Sequence, residues 1–144
     1  MYSKPSILPS EEVLLAFPVT YRLRYPLDIT PQKRAAYLTD RRLILESHGD
    51  FHYLPYEWLT GLRIGGWNHS RKYVEFVHGK KIRFSTHYGE SHPAENKKTQ
   101  KIYNWLRELH DNAKPKNRVL ADIKSQRKKF EDTTHIFEIA SSNL

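Results

Sequence analysis

The chain has 144 residues, of which 38% are hydrophobic and 28% are charged, and it contains no cysteine. This composition is typical of one globular domain with an extension, and the length suffices for a core without cross-links. The lack of cysteine excludes disulfides and thiolate zinc sites. Lys and Arg number 24 against 16 Asp and Glu, a net charge of +8. Such an excess suits phosphate-bearing partners such as anionic membrane or nucleic acid, and equally suits simple solubility.

The first strand is predicted within residues 11–24, where apolar and polar side chains alternate from Val19 onward. Pro18 requires an edge position or a bulge, because proline cannot donate a ladder hydrogen bond. Residues 25–34 contain two prolines and are predicted to form a loop. The chain is therefore expected to begin with a bent strand and a long connection.

The segment AAYLTDRRLILES, residues 35–47, predicts a β-hairpin. Its two apolar runs flank a short polar turn, in which Asp40 tolerates the turn geometry. Leu38, Leu43 and Leu45 are predicted to face the core, and an arginine stem of the turn is predicted to pack over apolar surface. We interpret this segment as an element of the fold first, with Arg41 and Arg42 as rim residues.

Further strands are predicted at residues 51–55, 56–66, 71–78 and 81–86, which makes seven in all. Three residues of the second of these, Trp58, Leu62 and Ile64, are candidates for the core.

The periodicity then changes to that of a helix, predicted over residues 93–112 with Ser91 as its N-cap. Its apolar face contains Trp105 and Leu109. A second helix is predicted from about Asn117.

Three segments carry a family resemblance: SEEVLLAF with Glu11 and Glu12, then YLTDRRLILES, then YLPYEWLTGLRI with Pro55. They resemble the pleckstrin-homology (PH)-like superfamily, and within it the GRAM and bacterial PH-like domains most; the GLUE domains of ESCRT trafficking proteins look similar at the same hairpin. The resemblance covers about residues 10–112. It implies a mainly β (α+β by count) fold, in which seven strands form a barrel or sandwich of two nearly orthogonal sheets and a C-terminal helix covers the open end. A helical tail follows.

This resemblance implies a site for lipid headgroups at basic residues beside the first loop, because clustered guanidinium and ammonium groups suit a multiply charged phosphate. Arg71, Lys72, Lys80 and Lys81 lie on neighbouring loops and extend the site if those loops open to the same end; otherwise they keep the hairpins soluble. The alternative is a solvated strand face. The predicted ligand-binding residues are Arg22, Arg24, Lys33, Arg34, Arg71 and Lys72.

Trp67 lies in the polar loop GGWNHSRK and is predicted either to contact a partner or a membrane interface, or to fold back on the domain. Aromatic residues alternate with basic ones in several strands, so single-stranded nucleic acid is a third, less favoured partner. The chain has no G-x-S-x-G, H-E-x-x-H or phosphate-cradling glycine loop, and its histidines are scattered. We therefore expect no enzyme activity, no metal and no cofactor.

The sequence thus predicts a PH-like domain at residues 1–112 and an extension at 113–144 that packs on the domain, packs on a second copy, or leads to a further domain. The expected function is a non-catalytic interaction module for anionic, phosphoinositide-type headgroups. The alternative is a protein-recognition module, for example for ubiquitin or a trafficking partner. The first 26 residues contain no long uncharged apolar run, so we expect no signal peptide, no transmembrane segment and a cytoplasmic location, peripheral to a membrane if headgroups are bound.

Overall fold

A computed structural model describes residues 4–21, 34–47, 49–66 and 71–131 of the chain. Seven strands are followed by two helices, with one 3₁₀ turn at Tyr56–Trp58 between the fourth and fifth strands. The strands are β1 (Val13–Tyr21), β2 (Arg34–Thr39), β3 (Arg42–Ser47), β4 (Asp50–Pro55), β5 (Thr60–Gly65), β6 (Tyr73–His78) and β7 (Lys80–Thr86). The helices are α1 (His92–Asp111) and α2 (Lys116–Glu131).

The strands form one antiparallel sheet of seven strands in the order β4-β3-β2-β1-β7-β6-β5. β1 joins the two halves, since it pairs with β2 from Val13 to Val19 and with β7 from Val19 to Tyr21. The sheet therefore curls into a half-barrel. The separate orthogonal sheets that the family resemblance implies are here hydrogen-bonded into one.

Pro18 lies at the point where the two halves meet. Its carbonyl accepts a hydrogen bond from the backbone N–H of His87 at 3.0 Å. The N–H and C=O of one strand residue point to the same side, so the missing N–H of Pro18 faces the position just beyond the end of β7 at Thr86. The prediction of an edge position or a bulge was wrong, because β1 is the central strand of the sheet and its register shift lies between Val13 and Leu15. Pro18 is accommodated because its missing N–H faces the position next to the first described pair of β1 with β7.

The core lies between the sheet and the helices, and most of its predicted members are confirmed. Leu38, Leu43 and Leu45 are at most 1% exposed, and Trp105 is 1% exposed. Two predicted members are not in the core: Trp58 is 55% exposed, and Ile64 is only half-buried and lies outside the core cluster. The reason for Trp58 is local: the 3₁₀ turn replaces the start of the predicted strand, and the strand alternation that would turn Trp58 inward is absent there.

α1 has the capping and the apolar face that the sequence predicts, and α2 packs on the domain, which is one of the arrangements that the sequence left open. Ser91 is the N-cap of α1, with its hydroxyl accepting from the N–H of Ala94, and α1 ends within one residue of the predicted boundary. α2 packs against β1 and α1. Its Phe130 is buried, with its ring centre 5.6 Å from that of Trp105. None of the helices in the described ranges is long and apolar enough to cross a bilayer.

Candidate functional site

The predicted ligand-binding residues fall into two groups. Arg22, Arg24 and Lys33, together with Trp67, lie outside the described residues. Arg34, Arg71 and Lys72 lie within them. The position of these last three in the sheet decides whether one patch can contain them all.

Arg34 begins β2, directly opposite Val19 of β1. Glu46 lies beside it, because the backbone N–H of the next residue, Ala35, donates to the Glu46 carboxylate at 3.0 Å. Burial raises the pKa of the Tyr21 hydroxyl well above its ordinary value; the Glu46 charge adds to this and the Arg34 charge opposes it. Arg34 therefore lies in an environment that already contains a carboxylate, and this weakens its attraction for an added anion.

The sheet register places Arg34 and Lys72 at the same level, three strands apart: Arg34 lies opposite Val19 and Val19 opposite Thr86, while Val74, two residues after Lys72, lies opposite Phe84. Both are separated from the β6–β7 turn along the strands. β1 and β6 are both antiparallel to β7, so they run in the same direction and their C-terminal ends point to one end of the sheet. The β6–β7 turn at Gly79 lies at that end. Arg71 and Lys72 precede β6 and lie at the other end, about 20 Å away for six residues at roughly 3.3 Å each. The structure thus does not bring Arg71 and Lys72 together with the β6–β7 turn.

The β6–β7 turn brings together a different set of residues, which we call the hairpin-end surface: Trp58, Val77, Lys80 and Lys81. Val77 pairs with Lys81 on β7 and with Thr60 on β5, two residues after Trp58. Trp58 and Val77 are 55% and 41% exposed. The side chains of Lys80 and Lys81 are exposed, and within the described part of the chain neither ammonium has a hydrogen-bond or ion-pair partner.

Other cations of the sheet are already paired. On the outer face of β5, β6 and β7, the buried carboxylate of Glu75 accepts hydrogen bonds from Arg63 and Arg83, the latter at 2.6 Å. The hydrogen bond from Arg63 lowers the pKa of Glu75 most; burial opposes this, and the bond from Arg83 adds to it. These two arginines therefore stabilise the sheet. The Glu75 carboxylate offsets part of their positive charge, so they attract an anionic ligand less strongly.

The first hairpin is organised in a similar way. Arg42 donates two hydrogen bonds to Glu11, at 2.8 and 2.9 Å, and the hydroxyl of Thr39 donates to the same carboxylate at 2.6 Å. The Thr39 hydroxyl also accepts the backbone N–H groups of Arg41 and Arg42. Arg42 lies over the ring of Tyr53, with its guanidinium carbon 4.5 Å from the ring centre. It is thus the guanidinium of Arg42 that covers an aromatic ring, and the turn is a structural element.

Sequence reasoning missed Trp58 as a surface residue and gave Lys80 and Lys81 only a conditional role. The available signal was the HGKK turn, whose two lysines have no nearby acid in sequence. No protein-family model matches the chain, and no curated protein sequence matches it significantly. The nature of the site is therefore argued from its geometry and charge.

Proposed function

We propose that the protein is a non-catalytic, PH-like interaction module that binds anionic membrane headgroups of the phosphoinositide type at the hairpin end of its sheet. The observation that carries the proposal is that two exposed lysines, neither with a partner among the described residues, lie on the same hairpin-end surface as an exposed tryptophan and valine. Lysine attracts phosphate as a point charge, and tryptophan favours the membrane–water interface. Each lysine near an anionic leaflet contributes about 1 kcal/mol to binding.

The order of the strands supports this placement. The seven strands follow one another as a meander whose first strand closes onto the last, and a helix follows β7, as expected for the PH-like fold. The C-terminal end of β1 points toward the hairpin end. The proposal also includes Arg22 and Arg24, which follow that strand in sequence, and Lys33, which precedes β2; all three lie outside the described residues. It does not include Arg71 and Lys72.

The test is co-sedimentation with vesicles of phosphatidylcholine containing phosphatidylserine and phosphatidylinositol bisphosphate. We expect the wild type to sediment with these vesicles and not with phosphatidylcholine alone. Lys80→Glu/Lys81→Glu should weaken binding at least tenfold, since it replaces two attractions by two repulsions. Lys128→Glu/Lys129→Glu on α2 is the matched control, because it reverses the same charge at two adjacent exposed lysines.

A further variant, the triple substitution Arg22→Ala/Arg24→Ala/Lys33→Ala, tests the cations of the β1–β2 connection. Binding that survives both this variant and the Lys80/Lys81 variant would place the headgroup elsewhere and contradict the proposal. Protein recognition is the second candidate, favoured by exposed Trp58, because tryptophan is enriched among the residues that dominate protein interfaces. It becomes the preferred function if no vesicle composition retains the wild-type protein.

A further inference from the structure

The end of the molecule opposite the hairpin-end surface contains a second cluster of basic and polar side chains. An open groove of about 250 Å³ runs between the residue that precedes β6 and the exposed face of α1. We call it the α1 groove. Its lining residues are Lys72, Asn96, Lys97, Gln100, Lys101 and Asn104.

Side-chain amides on one face of α1 hold Lys72 in place. Asn96, Gln100 and Asn104 follow at intervals of four residues, so they lie one above the other along the helix. The Asn96 side-chain oxygen accepts the backbone N–H of Lys72 at 2.8 Å, and the Gln100 oxygen accepts its ammonium at 3.1 Å. The Gln100 amide nitrogen in turn donates to Asn104 at 2.9 Å. The ammonium of Lys72 is thus positioned by a neutral group and keeps its full charge.

The groove has a net positive charge with little compensation. The described residues that line it include three lysines and no carboxylate. Lys97 is exposed, and its ammonium has no ion-pair or hydrogen-bond partner within the described ranges. Lys101 lies 3.7 Å from Asp122, whose same oxygen already accepts the indole N–H of Trp105 at 2.7 Å. The Lys101 ammonium also lies over the Trp105 ring, 5.5 Å from the ring centre, so two weak contacts hold it beside the groove.

We propose that the α1 groove binds a small anion carrying at least two phosphate groups, independently of the hairpin-end surface. Three ammonium groups neutralise the phosphates, and the amides of Asn96, Gln100 and Asn104 supply directional hydrogen bonds. The volume is below that of typical pockets for drug-sized ligands, so it suits a compact phosphorylated group. Such a group could belong to a soluble compound or to a lipid headgroup, and the two sources share the same chemistry.

Pyrophosphate is the probe, titrated into the full ¹⁵N-labelled chain and followed by NMR. We expect saturable shifts of the side-chain amide signals of Asn96, Gln100 and Asn104. Lys97→Glu should weaken binding roughly tenfold. Lys80→Glu, the same charge reversal at the other end of β6, is the matched control and should leave affinity within about twofold. Equal weakening by the two variants would show a diffuse charge effect and overturn the proposal, as would shifts confined to the hairpin end.

A gain-of-affinity variant protects the test against loss of structure. Asp122→Asn removes the competing charge beside Lys101 and retains an oxygen for the Trp105 indole, so pyrophosphate should bind up to about fivefold more tightly. Vesicles containing phosphatidylinositol bisphosphate distinguish the source: their displacement of pyrophosphate indicates a lipid headgroup, and coexistence with it indicates a soluble ligand. Unchanged affinity in Asp122→Asn, together with unchanged affinity in Lys97→Glu, would overturn the α1 groove as an anion site.

Discussion

The arginines on the outer face of the sheet and the lysines of the hairpin-end surface carry the same charge in different circumstances. Arg63 and Arg83 share one buried carboxylate, that of Glu75. Lys80 and Lys81 have no such partner among the described residues. The planar guanidinium suits fixed pairing with a carboxylate, whereas the ammonium is a hydrated point charge that suits a diffusing anion. The excess of basic residues is thus divided between structural pairing and charge available to a ligand.

The largest effect in this comparison is expected from Glu75→Ala. The substitution leaves two guanidinium groups without their shared carboxylate, on the two strands that flank β6, and removes the hydrogen bonds that join β5, β6 and β7. We expect the free energy of unfolding to fall by about 2 to 3 kcal/mol, as for the loss of charged hydrogen bonds to a buried group. Urea unfolding followed by circular dichroism measures it.

Glu57→Ala is the matched control for Glu75→Ala. Glu57 is an exposed glutamate in the 3₁₀ turn, without a side-chain partner among the described residues. Its removal should change the free energy of unfolding by no more than about 0.5 kcal/mol. Equal effects of the two substitutions would mean that the pairing of Arg63 and Arg83 with Glu75 does not stabilise the sheet, and would contradict the structural role of these arginines.

A smaller fall in the free energy of unfolding is expected at low pH, where the paired carboxylates become protonated but their side chains remain in place. Burial opposes the ionisation of Glu11, but hydrogen bonds from Arg42, Thr39 and the Leu8 N–H outweigh it, and its pKa lies below the ordinary 4.5. The pKa of Glu75 is lowered from the same value, chiefly by Arg63. A lowered pKa in the folded state contributes stability that is fully present above pH 4.5 and is lost as the pH falls through the folded-state pKa.

The free energy of unfolding should therefore be nearly constant from pH 7 to 5 with respect to these two groups and fall below pH 4.5. Urea unfolding at a series of pH values measures the slope. Glu11→Gln should be less stable than the wild type at pH 7 and show a shallower loss in acid, because one of the two titrating groups is gone. An identical slope in the two proteins would contradict the role of Glu11 as an ionised partner of Arg42.

The sequence predicts the elements of this fold well, because their periodicities are local. The segment at residues 35–47 has two apolar runs around a short polar turn, and α1 has both an N-cap serine and apolar residues at helical spacing. The predicted burial of Trp58 was wrong because a single 3₁₀ turn interrupts the strand pattern, and no residue in the run YEWLTGLRIGG indicates that turn. The pairing of Glu11 with Arg42 could not be predicted from the sequence either, since it joins residues far apart along the chain.

The site was harder to predict than the fold, because it depends on which strand ends meet. The sequence puts Arg71, Lys72, Lys80 and Lys81 on neighbouring loops, and it leaves open whether those loops meet the basic residues beside the first loop. The pairing of β1 with β7 gives β1 and β6 a common direction, and this puts Lys80 and Lys81 at the end to which β1 points. That pairing joins segments more than 60 residues apart along the chain, and no local pattern specifies it.

The smallest effect on stability, and the sharpest test of the hairpin-end surface, is expected from Trp58→Ser. Because Trp58 is 55% exposed, its loss should lower the free energy of unfolding by less than about 1 kcal/mol. The same substitution should weaken binding to phosphoinositide vesicles severalfold, since it removes the side chain that favours the membrane interface. Parallel urea unfolding and vesicle co-sedimentation measure both quantities. A large loss of stability with unchanged vesicle binding would make Trp58 a packing residue, and the available lysines would then attract the membrane by charge alone.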